Sequence, residues 1–148
     1  MRKHYFTMLW RNLFLEQVAI EEKLHPVILV IEDDEDNLLY ITNALNLFQY
    51  QYITARNAIE GLALATRHQP DLILLDLKMP HTSGFELIEI LKLNSLTMKI
   101  PVIAVTALAT TTQKTLILES GFSNYLIKPY LLEDLEQIVG FHLAKTLK

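Results

Sequence analysis

Cysteine is absent from the 148 residues. That excludes disulfides, thiolate metal sites and a cysteine nucleophile, and it is compatible with a cytosolic setting. No apolar run reaches the ~18 residues expected of a membrane span. Basic residues are not in excess: the formal net charge is -4. Nonspecific nucleic-acid binding needs clustered Lys and Arg, so this balance argues against it. Internal repeats and low-complexity tracts are also missing. What is present is apolar content, 51% of the chain, enough for a folded domain with a substantial core.

The stretch Asp71–Pro80 organises the rest. Leu72-Ile73-Leu74-Leu75 lies between Asp71 and Asp76. A short unbroken apolar run suits a strand buried on both faces of a parallel sheet. Asp76 then emerges at the carboxyl end of that strand, where open α/β sheets bind their ligands. The bland alternative is that Asp76 merely caps the strand or opens a turn.

Residues 1–25 stand apart as an N-terminal extension. Its start, Met1-Arg2-Lys3-His4, is basic, but Arg11 interrupts the apolar run that follows and no small-residue cleavage site appears. Phe6, Leu9, Trp10, Leu13, Phe14, Val18 and Ile20 recur near helical spacing, which predicts an amphipathic helix. The competing expectation is an upstream extension that docks weakly or frays. Pro26 ends the segment and opens the main domain, 26–148.

Along that domain, Val27–Ile31 is an apolar, β-branched strand ending in Glu32-Asp33-Asp34-Glu35-Asp36. Such an acidic run is usually a solvated loop, but packed at a strand end it would be relieved by a cation. A helix follows with Leu38, Ile41, Leu45 and Phe48 on one face and Asp36 as N-cap. Gln51–Ala55 reads as a more polar strand near a sheet edge. Asn57-x-x-Glu60 and Ser83-x-x-Glu86 have the form of capping boxes. They predict helices to about Arg67 and Leu93. Ile100–Val105 is a fourth strand, followed directly by Thr106. A weaker helix over Thr110–Ser120 ends at Gly121, a suitable C′ residue. Tyr125–Ile127 is the fifth strand, ending at Lys128-Pro129, and Leu132, Leu135, Ile138 and Val139 mark a closing helix. Strand–helix alternation at this spacing predicts an α/β doubly wound, five-stranded parallel sheet in the flavodoxin-like order 2-1-3-4-5, with helices on both faces.

In that order Glu32, Asp33, Asp76, Thr106 and Lys128 all fall at one edge of the sheet. Three carboxylates beside a hydroxyl and an ammonium make a hard-cation site next to an anion site. Oxygen ligands favour Mg²⁺ or Mn²⁺, and such a cation beside a phosphoryl group is the usual arrangement for phosphoryl transfer.

These pieces together resemble the receiver domain of two-component response regulators: Val27–Asp34, Asp71–Pro80 with Gly84, Val105-Thr106-Ala107, and Tyr125–Pro129. The resemblance covers residues 26 to about 140 and is of the stand-alone, single-domain type. It implies a protein that accepts a phosphoryl group on Asp76 from a histidine kinase or histidine phosphotransfer protein, and then switches the binding of a downstream partner. It further implies Asp33 as a direct Mg²⁺ ligand, Glu32 as a ligand through water, and the Lys78 carbonyl as the remaining protein ligand. Thr106 and Lys128 would contact the phosphoryl oxygens, a cis Lys128–Pro129 peptide would aim the lysine, and Tyr125 would be the switch aromatic moving with Thr106. The positions flanking the path of hydrolytic water are Lys78 and Leu108. The implied location is cytoplasmic, with no membrane span and no direct nucleic-acid partner. The implied class is a signalling phosphoprotein and not a turnover enzyme, one that supports its own Mg²⁺-dependent phosphorylation and slow dephosphorylation.

The alternatives are specific. A haloacid-dehalogenase-type phosphatase also uses a strand-end Asp but needs a second Asp two positions later, where this chain has Lys78. A constitutive scaffold with a receiver fold would not need the intact acidic set. A detached receiver fragment of a hybrid kinase would keep phosphotransfer as its function. Leu116, Ile117 and Leu118 are consecutive, so they cannot all face the core of one helix. At least one is expected at a surface for a partner, or for a phosphorylation-dependent homodimer.

Overall fold

The computed structural model describes residues 2–107 and 110–146. The elements run α1 (Arg2–Leu24), β1 (Val27–Ile31), α2 (Glu35–Leu47), β2 (Gln51–Ala55), α3 (Ala58–His68), β3 (Leu72–Asp76), α4 (Gly84–Leu93), β4 (Val102–Thr106), α5 (Thr111–Glu119), β5 (Asn124–Ile127) and α6 (Leu132–Thr146). The strands form one sheet in the order β2-β1-β3-β4-β5, and every neighbouring pair is parallel. This is the expected doubly wound arrangement. β2, the most polar strand, takes an edge.

The two-residue period of the strands sorts their side chains into two cores. Leu29, Ile31, Ile73, Leu75, Val102 and Ala104 pack against α3, α4 and α5 through Ala65, Leu87, Ile88, Leu91 and Ile117. Ile28, Val30, Leu72, Leu74, Ile103 and Val105 pack against α2 and α6 through Leu38, Ile41, Leu45, Leu135, Val139 and Leu143. All five residues of β3 and of β4 are buried, as the unbroken apolar runs required. Burying one such Leu or Ile contributes roughly 1.5–3 kcal/mol. The central strand ends are therefore held rigidly.

Several helix starts differ in detail from expectation. Asp34, not Asp36, caps α2: its side chain accepts from the Asn37 amide at 2.8 Å. β1 ends at Ile31, leaving Asp34 with extended backbone three residues before Asn37, while Asp36 already lies in the first turn. Asn57 and Ser83 cap α3 and α4 as expected. Glu60, however, accepts from the amide of Arg56, one residue before the cap. α5 carries a reciprocal capping box between Thr110 and Gln113. On α6, Leu135 and Val139 are buried, but Leu132 is exposed; His142 and Leu143 complete the inner face.

Candidate functional site

Four strands deliver the site. β1 ends at Ile31, and the next two residues are Glu32 and Asp33. The Glu32 amide donates to the Ala55 carbonyl at 3.0 Å, which extends the β1–β2 ladder by one residue and fixes the start of the loop. β3 ends in Asp76 and β4 in Thr106. Lys128 follows β5, and its amide donates to the Thr106 carbonyl at 2.8 Å. The Lys128–Pro129 peptide is cis, as expected. These residues line one cleft of about 830 Å³ together with Lys78.

Within the cleft, carboxylate oxygens of Glu32, Asp33 and Asp76 all lie within 4.8 Å of one another. Glu32 and Asp76 are buried and Asp33 is half-buried. The Lys128 ammonium reaches Glu32 Oε2 at 3.1 Å and Asp76 Oδ1 at 3.6 Å. The Asp34 amide donates to Glu32 Oε1 at 3.2 Å, and the Lys78 amide to Asp76 Oδ1 at 3.3 Å. Burial is the main cause holding both the Glu32 and the Asp76 carboxyls above the usual carboxylate range. For Glu32 the charge of Asp76 pushes the same way, and for Asp76 that of Asp33 does so to a lesser degree; Lys128 opposes both shifts.

Three carboxylates against one ammonium leave an excess of negative charge in a poorly hydrated place. Hard oxygen donors converging there fit a divalent cation of the Mg²⁺ or Mn²⁺ type, which would relieve the repulsion.

The structure thus brings together Glu32, Asp33, Asp76, Lys78, Thr106 and Lys128. Tyr125 is not among the residues lining the cleft. It is half-buried against the core on the α3–α5 side of the sheet, with the Lys114 ammonium 5.8 Å from its ring centre. Its β4 partner is Ala104, and Ala104 and Thr106 share a sheet face, so Tyr125 stands diagonally beside Thr106. Leu108 lies outside the described residues.

Two features were missed in the sequence. One is the Glu32–Lys128 pair, between residues 96 positions apart; nothing local signals it. The other is the reason for Gly84. A Cβ there would stand 2.6 Å from the Asp76 carbonyl and 2.8 Å from Leu77 Cα. Only glycine lets the start of α4 lie against the end of β3. The available signal was a glycine at the first helical position, directly after the cap Ser83.

Residues 28–140 match the family of response regulator receiver domains. The chain is 38% identical to the polar-differentiation response regulator DivK of Brucella anthropi over 102 residues, which are 69% of this chain and 83% of that protein. The corresponding protein of Brucella ovis is 37% identical over the same lengths. Among solved structures, the receiver domain of Francisella response regulator 1452 superposes with a TM-score of 0.77 at 30% identity, covering 82% of this chain and 99% of that one. The receiver domain of a sensor histidine kinase from Pseudomonas aeruginosa, solved with a magnesium ion coordinated in its active-site cleft, gives 0.76 at 26% identity, covering 81% and 98%.

Proposed function

The chain belongs to the family of response regulator receiver domains, and from that premise we propose that it is a phosphorylation-switched signalling protein with Asp76 as its phosphoacceptor. One observation carries this reading. Asp76 closes the fully buried central strand β3, with two further carboxylates within 4.8 Å and the Lys128 ammonium at 3.6 Å.

In the transfer step, a carboxylate oxygen of Asp76 attacks the phosphorus of a phosphohistidine. An O–P bond forms and the P–N bond breaks. The imidazole leaves with a proton from solvent, and Asp76 becomes an acyl phosphate. Glu32, Asp33, Asp76 and the Lys78 carbonyl would hold Mg²⁺, or Mn²⁺; when bound, that ion supplies charge neutralisation for the phosphoryl oxygens. Lys128 is already aimed by its pair with Glu32 and supplies a charged donor to a phosphoryl oxygen. Thr106 supplies a hydroxyl to another. Its movement toward the phosphate makes room beside Tyr125, which turns inward and alters the neighbouring α5 surface. There Leu116 and Leu118 are half-exposed while Ile117 is buried. That surface is the docking place for a downstream partner or for a phosphorylation-dependent homodimer.

The donor is a histidine kinase or a histidine phosphotransfer protein, and the setting is cytoplasmic. No helix among the described residues is long and apolar enough to cross a membrane. The protein works as a substrate and switch of signal transduction and not as a turnover enzyme. The test is incubation with Mg²⁺ and a small acyl phosphate donor, followed by intact mass measurement. Wild type gains one hydroxylamine-labile phosphate and Asp76→Asn gains none. A labile phosphate on Asp76→Asn would assign the acceptor elsewhere.

A further inference from the structure

Helix α1 precedes the segment that matches the receiver family and takes no part in the cleft. Its large apolar side chains are laid open to solvent. Phe6, Trp10, Leu13 and Ile20 are 66%, 60%, 56% and 58% exposed. With Gln17 they are spaced 4, 3, 4 and 3 residues apart, which is the alternation of a coiled-coil seam. Phe6 and Trp10 already stack edge to face at 5.9 Å between ring centres. The single polar residue in the seam, Gln17, is of the kind that sets register.

We propose that α1 pairs antiparallel with α1 of a second copy of this chain, making the protein a dimer whether or not Asp76 is phosphorylated. Charge decides the direction. Residues 2–11 include Arg2, Lys3 and Arg11 and no acid, whereas residues 12–24 include Glu16, Glu21 and Glu22 against the single base Lys23. A parallel pair stacks like on like. An antiparallel pair sets the basic half of each helix beside the acidic half of the other and also opposes the two helix dipoles favourably. The same charges disfavour a lipid surface. A helix lying in a membrane interface needs a strongly polar, basic face opposite its apolar one. Here acids outnumber bases three to one in the C-terminal half. Met8 and Leu15, exposed at 65% and 54%, lie on the side away from the seam.

The 148-residue chain is examined by sedimentation equilibrium, with and without a beryllofluoride mimic of the phosphate. Wild type should show twice the chain mass in both states. Leu13→Lys should show the monomer mass in both while still taking up phosphate on Asp76, and Leu116→Lys on α5 should stay dimeric without the mimic. Because the chain has no cysteine, single introduced cysteines report orientation without background. A mixture of Phe6→Cys and Ile20→Cys copies should crosslink with a short bis-maleimide as the 6–20 pair, and Phe6→Cys alone should not. A monomeric wild type, a dimeric Leu13→Lys, efficient 6–6 crosslinking, or wild-type sedimentation with anionic lipid vesicles that Leu13→Lys loses would each overturn the proposal. Failure of phosphate uptake on Asp76 would strike the functional reading and leave this one standing.

Discussion

Glu32 and Asp33 are neighbours in the chain with different surroundings. Glu32 is buried and already engaged by the Lys128 ammonium and the Asp34 amide, whereas Asp33 is half-buried at the mouth of the cleft. Asp33 is therefore the freer donor for a cation. Mg²⁺ titration is expected to show Asp33→Ala weakening binding by about tenfold or more, ~1.4 kcal/mol, and Glu32→Ala weakening it less; equal losses would sink the distinction. Lys78 carries the second residue-scale prediction. It is exposed at the cleft, two positions after Asp76. An ammonium has no acceptor for the protons of an attacking water, whereas an amide can both donate and accept. Lys78→Asn should hasten loss of phosphate from the isolated phosphorylated protein by about three- to tenfold. Unchanged or slower decay would show that water orientation at this position does not set the rate. Asp76 itself was readable as a charged residue closing an apolar run. Its ion-pair partner's own pairing with Glu32 was not, because the two lie 96 positions apart.

The elements were legible wherever their determinants are local. β1, β2 and β3 announce themselves as short apolar or β-branched runs. Asn57 and Ser83 cap helices because a side-chain acceptor three residues before a free amide needs no tertiary help. Asp34 was passed over for Asp36 because five consecutive acids offer several equivalent caps, and only the path of the chain leaving β1 selects one. Gly84 shows the limit of local reading. Its importance lies in the 2.6 Å separation between a hypothetical Cβ and the Asp76 carbonyl, a contact between two elements. Gly84→Ala should therefore destabilise the protein by about 1–3 kcal/mol in urea unfolding and slow phosphorylation of the molecules that remain folded. The backbone that must shift carries Asp76, the proposed phosphoacceptor. A variant as stable and as reactive as wild type would show that the loop yields freely.

The whole molecule has a pH dependence written into its second core. His142 on α6 is 6% exposed, and its Nε2 lies 3.3 Å from the Asn124 amide nitrogen at the start of β5. An amide NH₂ only donates, so Nε2 accepts and the ring is neutral. Burial, with a smaller contribution from the charge of Lys145, holds the imidazole below its ordinary 6.5. In the unfolded chain His142 takes a proton near that value. Stability from this group is therefore fully present above about pH 6.5 and falls as pH drops below it, by about 1.4 kcal/mol for each pH unit of depression. Glu32 and Asp76 act with the opposite sign. Their raised carboxyls bind protons more readily folded than unfolded, so acidification through their range favours the folded state. The comparison that isolates the histidine is wild type against His142→Gln, followed by urea midpoint between pH 7.5 and 5.5. The variant should lose less stability on acidification, and parallel curves would remove His142 from the account.

By itself the sequence determined the alternation of strands and helices, and with it the sheet order and the edge at which Glu32, Asp33, Asp76, Thr106 and Lys128 gather. Those follow from hydrophobic period, capping chemistry and the handedness of parallel crossovers, all properties of short segments or of their order. Tertiary structure alone decided which carboxylate Lys128 touches first, why residue 84 carries no side chain, and that Tyr125 stands beside Thr106 and outside the cleft. It also decided that His142 is sealed against Asn124. Each of these depends on distances between segments far apart in the chain. A one-dimensional pattern says which elements meet, but the side-chain contacts are set only when the packed elements exclude every other arrangement.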